Sequence, residues 1–233
     1  MENQSYPENG ALQAANAAAL AKAFLNKVYL WMSVCMLLTA GVAAYTAQDQ
    51  QSIMWAAQNN WLVFLGTIGI VIFMSFGANR LSSGALTLML LAFAAIQGLL
   101  FGPVLVVYGL DSVGKAFGCT AIMFGAMSIY GAVTRRNLST MGRTLFMLLI
   151  GLLVAIIVNI FWGNSMLDLL ISCAGVVIFS LYTAYDTQRL LEIGLSTDET
   201  VRSKGAVLGA LTLYLDFINL FLMLLRFFGG RDE

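Results

Sequence analysis

Two aspartates in the C-terminal part of the sequence lie in apolar stretches, and they are the strongest candidates for chemistry. Asp216 stands about ten residues, or about 15 Å of helix, into an apolar stretch that begins near residue 206. Asp186 lies close to the end of the preceding apolar stretch, within Tyr185-Asp186-Thr187-Gln188. A charged side chain at the middle of a bilayer costs about 2.5–3.5 kcal/mol on insertion scales. We therefore expect Asp216 to face protein or water and to have a partner.

The helical period indicates which way these side chains face. At 3.6 residues per turn, the last apolar stretch has a stripe of small and polar residues opposite a leucine-rich stripe. The small and polar stripe should point into a helix bundle, and Asp186 lies on a comparable stripe of the preceding helix. The last helix carries Gly205, Gly209, Thr212, Asp216, Asn219 and Met223 on one face and Leu211, Leu215, Ile218, Leu222 and Leu225 on the other, while the preceding helix aligns Ser172, Gly175, Phe179, Tyr182 and Asp186.

The two carboxyl groups could meet if the last helix enters the bundle at an angle. Two carboxylates in a poorly solvated space cannot both ionise cheaply, so they would share a proton and titrate as a unit. Deprotonation would then separate the two helices or recruit a cation, which makes the pair a proton-sensitive element. The alternative is that Asp186 is a solvated residue at a helix end that pairs with Arg189.

Other candidate residues are few because the sequence contains no histidine. This excludes Ser-His and Cys-His catalysis, His-ligated zinc or heme, and an imidazole pH switch. Arg80 is either a cytoplasmic anchor or a guanidinium that pairs with an ionised Asp186 or Asp216. Asn159 and Gln97 lie at depth in apolar stretches, where interhelical hydrogen bonds are expected.

Composition places these residues in a membrane protein. Of 233 residues, 60% are hydrophobic and 10% charged, and the mean hydropathy is +0.84, which excludes an ordinary soluble domain. The net charge is zero, so nothing indicates a nucleic-acid partner. Because about 20 apolar residues cross a bilayer, we expect an all-α bundle of seven transmembrane helices, at about 28–47, 61–78, 85–108, 113–133, 143–162, 167–188 and 206–228.

The organisation around these spans is simple. We expect a cytoplasmic N-terminal segment with an interfacial helix at 1–24, a transmembrane domain at 25–229 and a short tail at 230–233. Nine of the 12 basic residues fall on the N-terminal side of the membrane, so the N-terminus is expected in the cytoplasm and the C-terminus outside. Pro103 should kink the third span beside Gly102.

Small residues and cysteines in the spans have simpler interpretations. The pairs Gly98–Gly102, Gly114–Gly118 and Gly205–Gly209 indicate close helix contacts. The cysteines at 35, 119 and 173 are widely spaced in apolar runs, which indicates buried, inert thiols rather than a disulfide framework or a metal motif.

Several of these motifs resemble the transmembrane Bax-inhibitor-motif family. The motifs that show this resemblance are the Gly-Pro-x-Leu element at 102–105, the Tyr-Asp of Tyr185-Asp186, the segment 124–131, and above all the last span from Ala210 to Gly229. The resemblance covers essentially the whole chain after the N-terminal segment, and its last-span motif is the specific one.

The resemblance implies a seven-helix fold with the C-terminal helix at the centre. It implies that Asp186 and Asp216 sense pH and gate a calcium leak, with Arg80 as a latch. We expect Tyr185, Asn159 and Asn219 to be supporting polar residues. We also expect a bacterial inner-membrane location and no resident cofactor. Some members carry an acid in span two, which 61–78 lacks.

Calcium, or another cation, would be the permeant ion, held weakly by two carboxylates and one amide. A non-conducting regulator that binds another membrane protein, such as a membrane-bound protease, is the alternative function. An intramembrane aspartyl protease is disfavoured because Leu213-Tyr214-Leu215, not Gly-x-Gly, precedes Asp216. We therefore expect no enzymatic activity.

Overall fold

The chain folds into helices throughout residues 7–229, which are the residues that this computed structural model describes. The first six residues and the tail at 230–233 lie outside the described residues. The helices are α1 (Pro7–Gln48), α2 (Gln50–Gln58), α3 (Asn60–Gly77), α4 (Ser83–Val133), α5 (Gly142–Trp162), α6 (Ser165–Gly194) and α7 (Glu199–Gly229), with one 3₁₀ turn at Ser139–Met141 before α5.

The helices provide the spans expected from the hydropathy. Five of the described helices are long and apolar enough to cross a membrane, and the bent pair of α2 and α3 can supply a sixth. With 51 residues, α4 would be about 76 Å long, more than twice the thickness of the hydrocarbon core. It is therefore two spans, and the expected count of seven helices matches the structure.

The two arms of α4 are separated by Gly109. This residue has φ 71° and ψ 157°, far from helical values, and glycine reaches a positive φ without steric cost. We define the arms as α4a, residues 83–108, and α4b, residues 110–133. We expected a kink at Pro103, but the backbone remains helical there and leaves the helical region six residues later.

The first helix is longer than the span that the hydropathy indicated. The segment 11–24 is continuous with the first span in α1, whose 42 residues measure about 63 Å. A helix of this length extends well beyond the hydrocarbon core. Its extension packs against the end of α6, where a Cβ at Gly194 would lie 3.0 Å from the Cα of Ala21 and from a ring atom of Phe24.

Helix α7 is the most buried of the candidate spans. In its most apolar window 72% of residues are buried, against 11–39% in the other four single-helix spans, and it packs on α1, α4 and α6. We expected its leucine-rich stripe to lie away from the bundle interior, and this is wrong. Leu211, Ile218 and Leu225 are buried, because neighbouring helices cover α7 on several sides.

Glycines set the closest helix approaches, as expected at two of the three pairs. A Cβ at Gly98 would lie 2.5 Å from the Cβ of Val42 and 2.8 Å from the carbonyl oxygen of Thr39, so α4a and α1 touch there. Gly102 meets α1 in the same way, and Gly205 and Gly209 meet side chains of α6. The expectation was wrong for Gly114 and Gly118, which have nothing within 4 Å of a built Cβ.

The three cysteines are free, and they differ in burial. Cys35 is fully buried, Cys119 is half-buried and Cys173 is exposed. The interpretation as buried thiols is therefore correct only for Cys35.

Polar side chains connect neighbouring helices at the end of the bundle where most basic residues lie. The Lys204 ammonium donates to the carbonyl oxygen of Ala78 at 3.0 Å, which attaches the start of α7 to the loop after α3. The Gln188 amide donates to the carbonyl oxygen of Arg136 at 2.9 Å and accepts from the backbone N–H of Leu138 at 2.7 Å. These bonds hold the loop after α3, the loop before α5 and the adjoining parts of α6 and α7 together at one end of the bundle.

The glycine contacts make a prediction about stability. Gly98→Ala should destabilise the protein by about 1–3 kcal/mol, because the new methyl group overlaps backbone and Cβ atoms of α1 that cannot rotate away. Gly118→Ala is the matched control. It adds the same methyl group in open space and should be neutral or stabilising by up to about 1 kcal/mol through helix propensity. Thermal unfolding of both variants in the same detergent measures the difference, and equal midpoints would contradict the contact.

Candidate functional site

The structure brings Asp186 of α6 and Asp216 of α7 together in the interior of the bundle. Their carboxyl groups lie within hydrogen-bonding reach of each other. Asp186 is 7% exposed and Asp216 is 6% exposed, so both side chains are removed from bulk solvent. The Oδ2 atom of Asp216 has no hydrogen-bond partner among the described residues. Asp186 is therefore not the solvated helix-end residue of the alternative interpretation.

Helix geometry explains why the two side chains meet. Helices α6 and α7 are antiparallel neighbours, and each Cα–Cβ bond in a helix tilts toward the N-terminus of its own helix. The side chain of Asp186 therefore leans toward the start of α6, and that of Asp216 leans toward the start of α7. Because the helices are antiparallel, the two side chains lean in opposite directions along the bundle. Each leans toward the other, so their carboxyl groups meet.

Two glycine contacts keep α6 and α7 in register around the pair. On one side of it, a Cβ at Gly209 would lie 2.5 Å from a methyl carbon of Leu190. On the other side, a Cβ at Gly175 would lie 2.5 Å from the sulfur of Met223. In each contact a large side chain of one helix lies against bare backbone of the other. A shift of one helix along the other would break both contacts and separate the carboxyl groups.

The arm α4b is a third helix that packs next to the aspartate pair. The backbone of Ala184, two residues before Asp186, occupies the space that a Cβ at Gly131 would need. One turn away, the Thr187 hydroxyl donates to the Ser128 hydroxyl at 3.5 Å. Because Gly131 and Ser128 lie on one face of α4b, this arm packs along α6 at the level of the aspartates.

Few charged groups act on the pair. Arg189 interacts electrostatically with Asp186, and the Tyr182 hydroxyl interacts with both aspartates. The ion pairs found among residues 7–229 involve other carboxylates, namely Asp111, Asp168 and Glu199. Arg80 is exposed, and none of these ion pairs joins it to either aspartate. The structure thus does not bring the candidate latch to the pair.

The other two candidates on α5 and α6 do not face the carboxyl groups. The ring of Tyr185 packs against Gly142 at the start of α5, where a Cβ would lie 2.7 Å from the tyrosine oxygen. The Asn159 amide donates to Asp168 at 3.4 Å, and Asp168 pairs with Arg226 at 3.8 Å. Because Arg226 is ten residues beyond Asp216, Asn159 lies about 15 Å along α7 from the pair. It makes an interhelical bond, but not at the aspartates.

Asn219, the remaining candidate, lines a cavity beside the pair. The cavity measures about 410 Å³ and lies between α3, α4a and α7. Gln97 of α4a lines it as well, together with mostly apolar side chains. We expected Gln97 to make an interhelical hydrogen bond, but neither it nor Asn219 has a hydrogen bond to another described residue.

Tyr214 was missed by the sequence reasoning. Its side chain is fully buried, and its hydroxyl lies 2.8 Å from the Thr39 hydroxyl, which also donates to the carbonyl oxygen of Ala94 at 2.8 Å. The Phe93 ring packs edge-on against Tyr214. This network joins α1, α4a and α7 two residues before Asp216. A tyrosine in an apolar stretch was the only signal, and its partners Phe93 and Thr39 are 121 and 175 positions away in the sequence.

The pair is not part of a larger metal-binding cluster. Within residues 7–229, no group of three or more His, Cys, Asp or Glu side chains could hold a metal ion. The two carboxyl groups and the amide of Asn219 offer hard oxygen ligands of the kind that Ca²⁺ prefers. They are too few for the six to eight ligands of a tight calcium site. The arrangement can hold a proton between two carboxyl groups, and their oxygens are ligands of the kind that a cation prefers.

Comparison with known proteins gives consistent matches over nearly the whole chain. A family model described as inhibitor of apoptosis-promoting Bax1 matches residues 21–233. The inner membrane protein YbhL of Escherichia coli K12 is 43% identical over 215 residues, which cover 89% of this chain and 92% of YbhL.

Two further relatives carry the description uncharacterized protein. The one from Deinococcus radiodurans is 41% identical and the one from Borreliella burgdorferi is 40% identical, over 89–91% of this chain and 92% of each relative. The names of these relatives state no enzymatic activity. With its apolar helices and these matches, the chain is a membrane protein that belongs to the Bax inhibitor-1 family.

Proposed function

We propose that this protein is a pH-sensitive cation leak channel of the Bax-inhibitor type, with Ca²⁺ as the permeant ion. The observation that carries the proposal is the contact between the carboxyl groups of Asp186 and Asp216, buried and without a neutralising ion pair among the described residues. Gain or loss of a single proton makes or breaks a contact of this kind. The contact lies between α6 and α7, which run the length of the bundle.

The protonation of the pair supplies the gate. A hydrogen bond between two carboxyl groups needs a proton on one of them, because an ionised carboxylate only accepts. With the proton present, α6 and α7 are held together and the path is shut. Loss of the proton leaves two negative charges in a poorly solvated space, and their repulsion separates the helices or draws in a cation. Conduction therefore rises as the pH rises.

The proposal includes α7 as the centre of a seven-span bundle. Its support is the high burial of α7 and its packing on α1, α4 and α6. A central α7 would place Asp216 on the axis around which the other helices are arranged. The glycine contacts at Gly175 and Gly209 would then allow α6 to lie close enough for its aspartate to reach that axis.

Calcium flux tests the gate. In proteoliposomes loaded with a calcium-sensitive dye, wild-type flux should rise by up to about tenfold per pH unit on the acidic side of the transition, as for the release of one proton. Asp216→Asn should flatten this dependence, because an amide does not titrate. Asp186→Asn should do nearly the same, since the pair acts as a unit.

Asp111→Asn is the matched control for the gate. Asp111 is an exposed carboxylate that pairs with Lys115 on α4b, so its loss should leave the pH profile of the flux unchanged. If both single variants of the pair keep the wild-type profile, the coupled gate is wrong even where the protein conducts.

The orientation is a second proposal with its own test. We propose a bacterial inner-membrane location with the N-terminus in the cytoplasm and the C-terminus outside. The nine-to-three bias of basic residues supports this orientation, and a relative named as an inner membrane protein supports the location. Alkaline phosphatase fused after Glu233 should be active, and green fluorescent protein fused there should be dark. The opposite pair of results would reverse the orientation.

The same flux measurement addresses the alternatives. Absence of flux at every pH from correctly folded wild-type protein would favour a non-conducting regulator that binds another membrane protein. Cleavage of a transmembrane substrate by the wild type, lost in Asp216→Ala, would favour an intramembrane protease.

A further inference from the structure

The cavity between α3, α4a and α7 contains two side-chain amides without hydrogen-bond partners among the described residues. They belong to Gln97 and Asn219, and both are half-buried. The third polar residue of the lining, Thr67, is accounted for because its hydroxyl donates to the carbonyl oxygen of Phe64 at 2.7 Å. The rest of the lining is apolar. A polar group in apolar surroundings is costly unless something bonds to it, so the two amides need a partner from outside the chain.

The position of the cavity relative to the aspartates indicates what that partner is. Asn219 is three residues after Asp216 on α7, so it lies on the same side of the helix and about 4.5 Å further along it. Leu215, immediately before Asp216, also lines the cavity. The cavity thus begins next to the buried pair and extends toward Phe64 and Leu222, into the half of the bundle away from the basic end.

The chemistry of the lining fits a hydrated cation better than a lipid chain. An acyl chain would fill an apolar space and leave both amides unsatisfied. Water can bond to both the oxygen and the NH₂ group of an amide, and a cation in that water gains the amide oxygens as hard ligands.

We propose that this cavity is the outer vestibule of the conduction path and that Gln97 and Asn219 form its cation-contacting site. The two amides replace part of the hydration shell while a cation passes between the outer face and the aspartate pair. This inference rests on the proposed leak function and adds a site to it. The amides set the rate of passage, whereas the aspartates set its pH dependence.

Flux measurements separate the two roles. Asn219→Leu should lower the calcium flux at every pH by about tenfold, equivalent to about 1.4 kcal/mol on the barrier, with no shift in the pH of half-maximal flux. Gln97→Leu should act in the same direction. Asn219→Asp should retain the flux, because it keeps an oxygen ligand at the same place. This rescue distinguishes the loss of a ligand from a folding defect.

Thiol labelling tests the vestibule without using flux. In a background of Cys119→Ala and Cys173→Ala, with the fully buried Cys35 retained, a cysteine is introduced by Asn219→Cys or Gln97→Cys. Both cysteines should react with a small, charged methanethiosulfonate added from outside, because the reactive thiolate forms only in contact with water. Ile122→Cys, at a 74% exposed position halfway along α4b, should be protected by lipid and stay unreactive.

The outcomes distinguish this inference from the function on which it rests. A wild type that does not conduct would overturn the leak, and labelling would still decide whether water enters the cavity. A conducting wild type whose Asn219→Leu and Gln97→Leu variants conduct at the full rate would overturn the cation site alone. Thiols at 97 and 219 as unreactive as the thiol at 122 would show that lipid fills the cavity, which also overturns the vestibule.

Discussion

Two buried carboxyl groups within hydrogen-bonding reach of each other inside an apolar bundle are the constraint on which this structure depends. Each of them would be expensive in the membrane on its own. Together they are tolerated because Asp186 and Asp216 lie on helices that approach closely and share their polar contact. Gly175 and Gly209 permit this approach, since a Cβ at either of them would overlap the neighbouring helix, and Gly131 lets α4b pack against α6 at the same level. The small residues are therefore needed to bring the acids into contact.

The polar contacts around the pair divide the bundle into parts that would respond differently to its charge. Tyr214 attaches α7 to α1 and α4a through fully buried hydrogen bonds, on a different side from α6. Gln188 attaches α6 to the loop before α5 through one part-buried and one exposed hydrogen bond, and water competes for the exposed one. Repulsion between Asp186 and Asp216 would therefore displace α6 more readily than α7. At the far end, Arg226 and Asp168 keep the same two helices together.

The cavity between α3, α4a and α7 lies near the pair but on a different side of α7. Asp216 turns toward α6, while Asn219 faces the space shared with Gln97. Separation of α6 from α7 would bring the buried carboxyl groups into continuity with that space. In the proposed mechanism, the aspartate pair would control whether ions pass, and the two amides of the cavity would control how fast they pass.

The sequence by itself determined the class of the protein, the number of its spans and the two acids of interest. Composition, segment length and the 3.6-residue period act within single helices, so they can be read locally. The same reasoning correctly placed Asp186 and Asp216 on inward faces, because a charge in an apolar helix must avoid lipid. It also identified the glycine pairs at 98–102 and 205–209, and the family resemblance rested on such local motifs.

Only the tertiary structure decided which of these residues meet. The contact between Asp186 and Asp216 depends on the antiparallel register of α6 and α7, which the Met223–Gly175 and Leu190–Gly209 contacts set. The open surface at Gly114 and Gly118 and the remote position of Asn159 depend on helix neighbours that no local pattern specifies. The partners of Tyr214 lie far away in the sequence. Periodicity gives the face of a helix, whereas the identity of the neighbour on that face is a property of the assembled bundle.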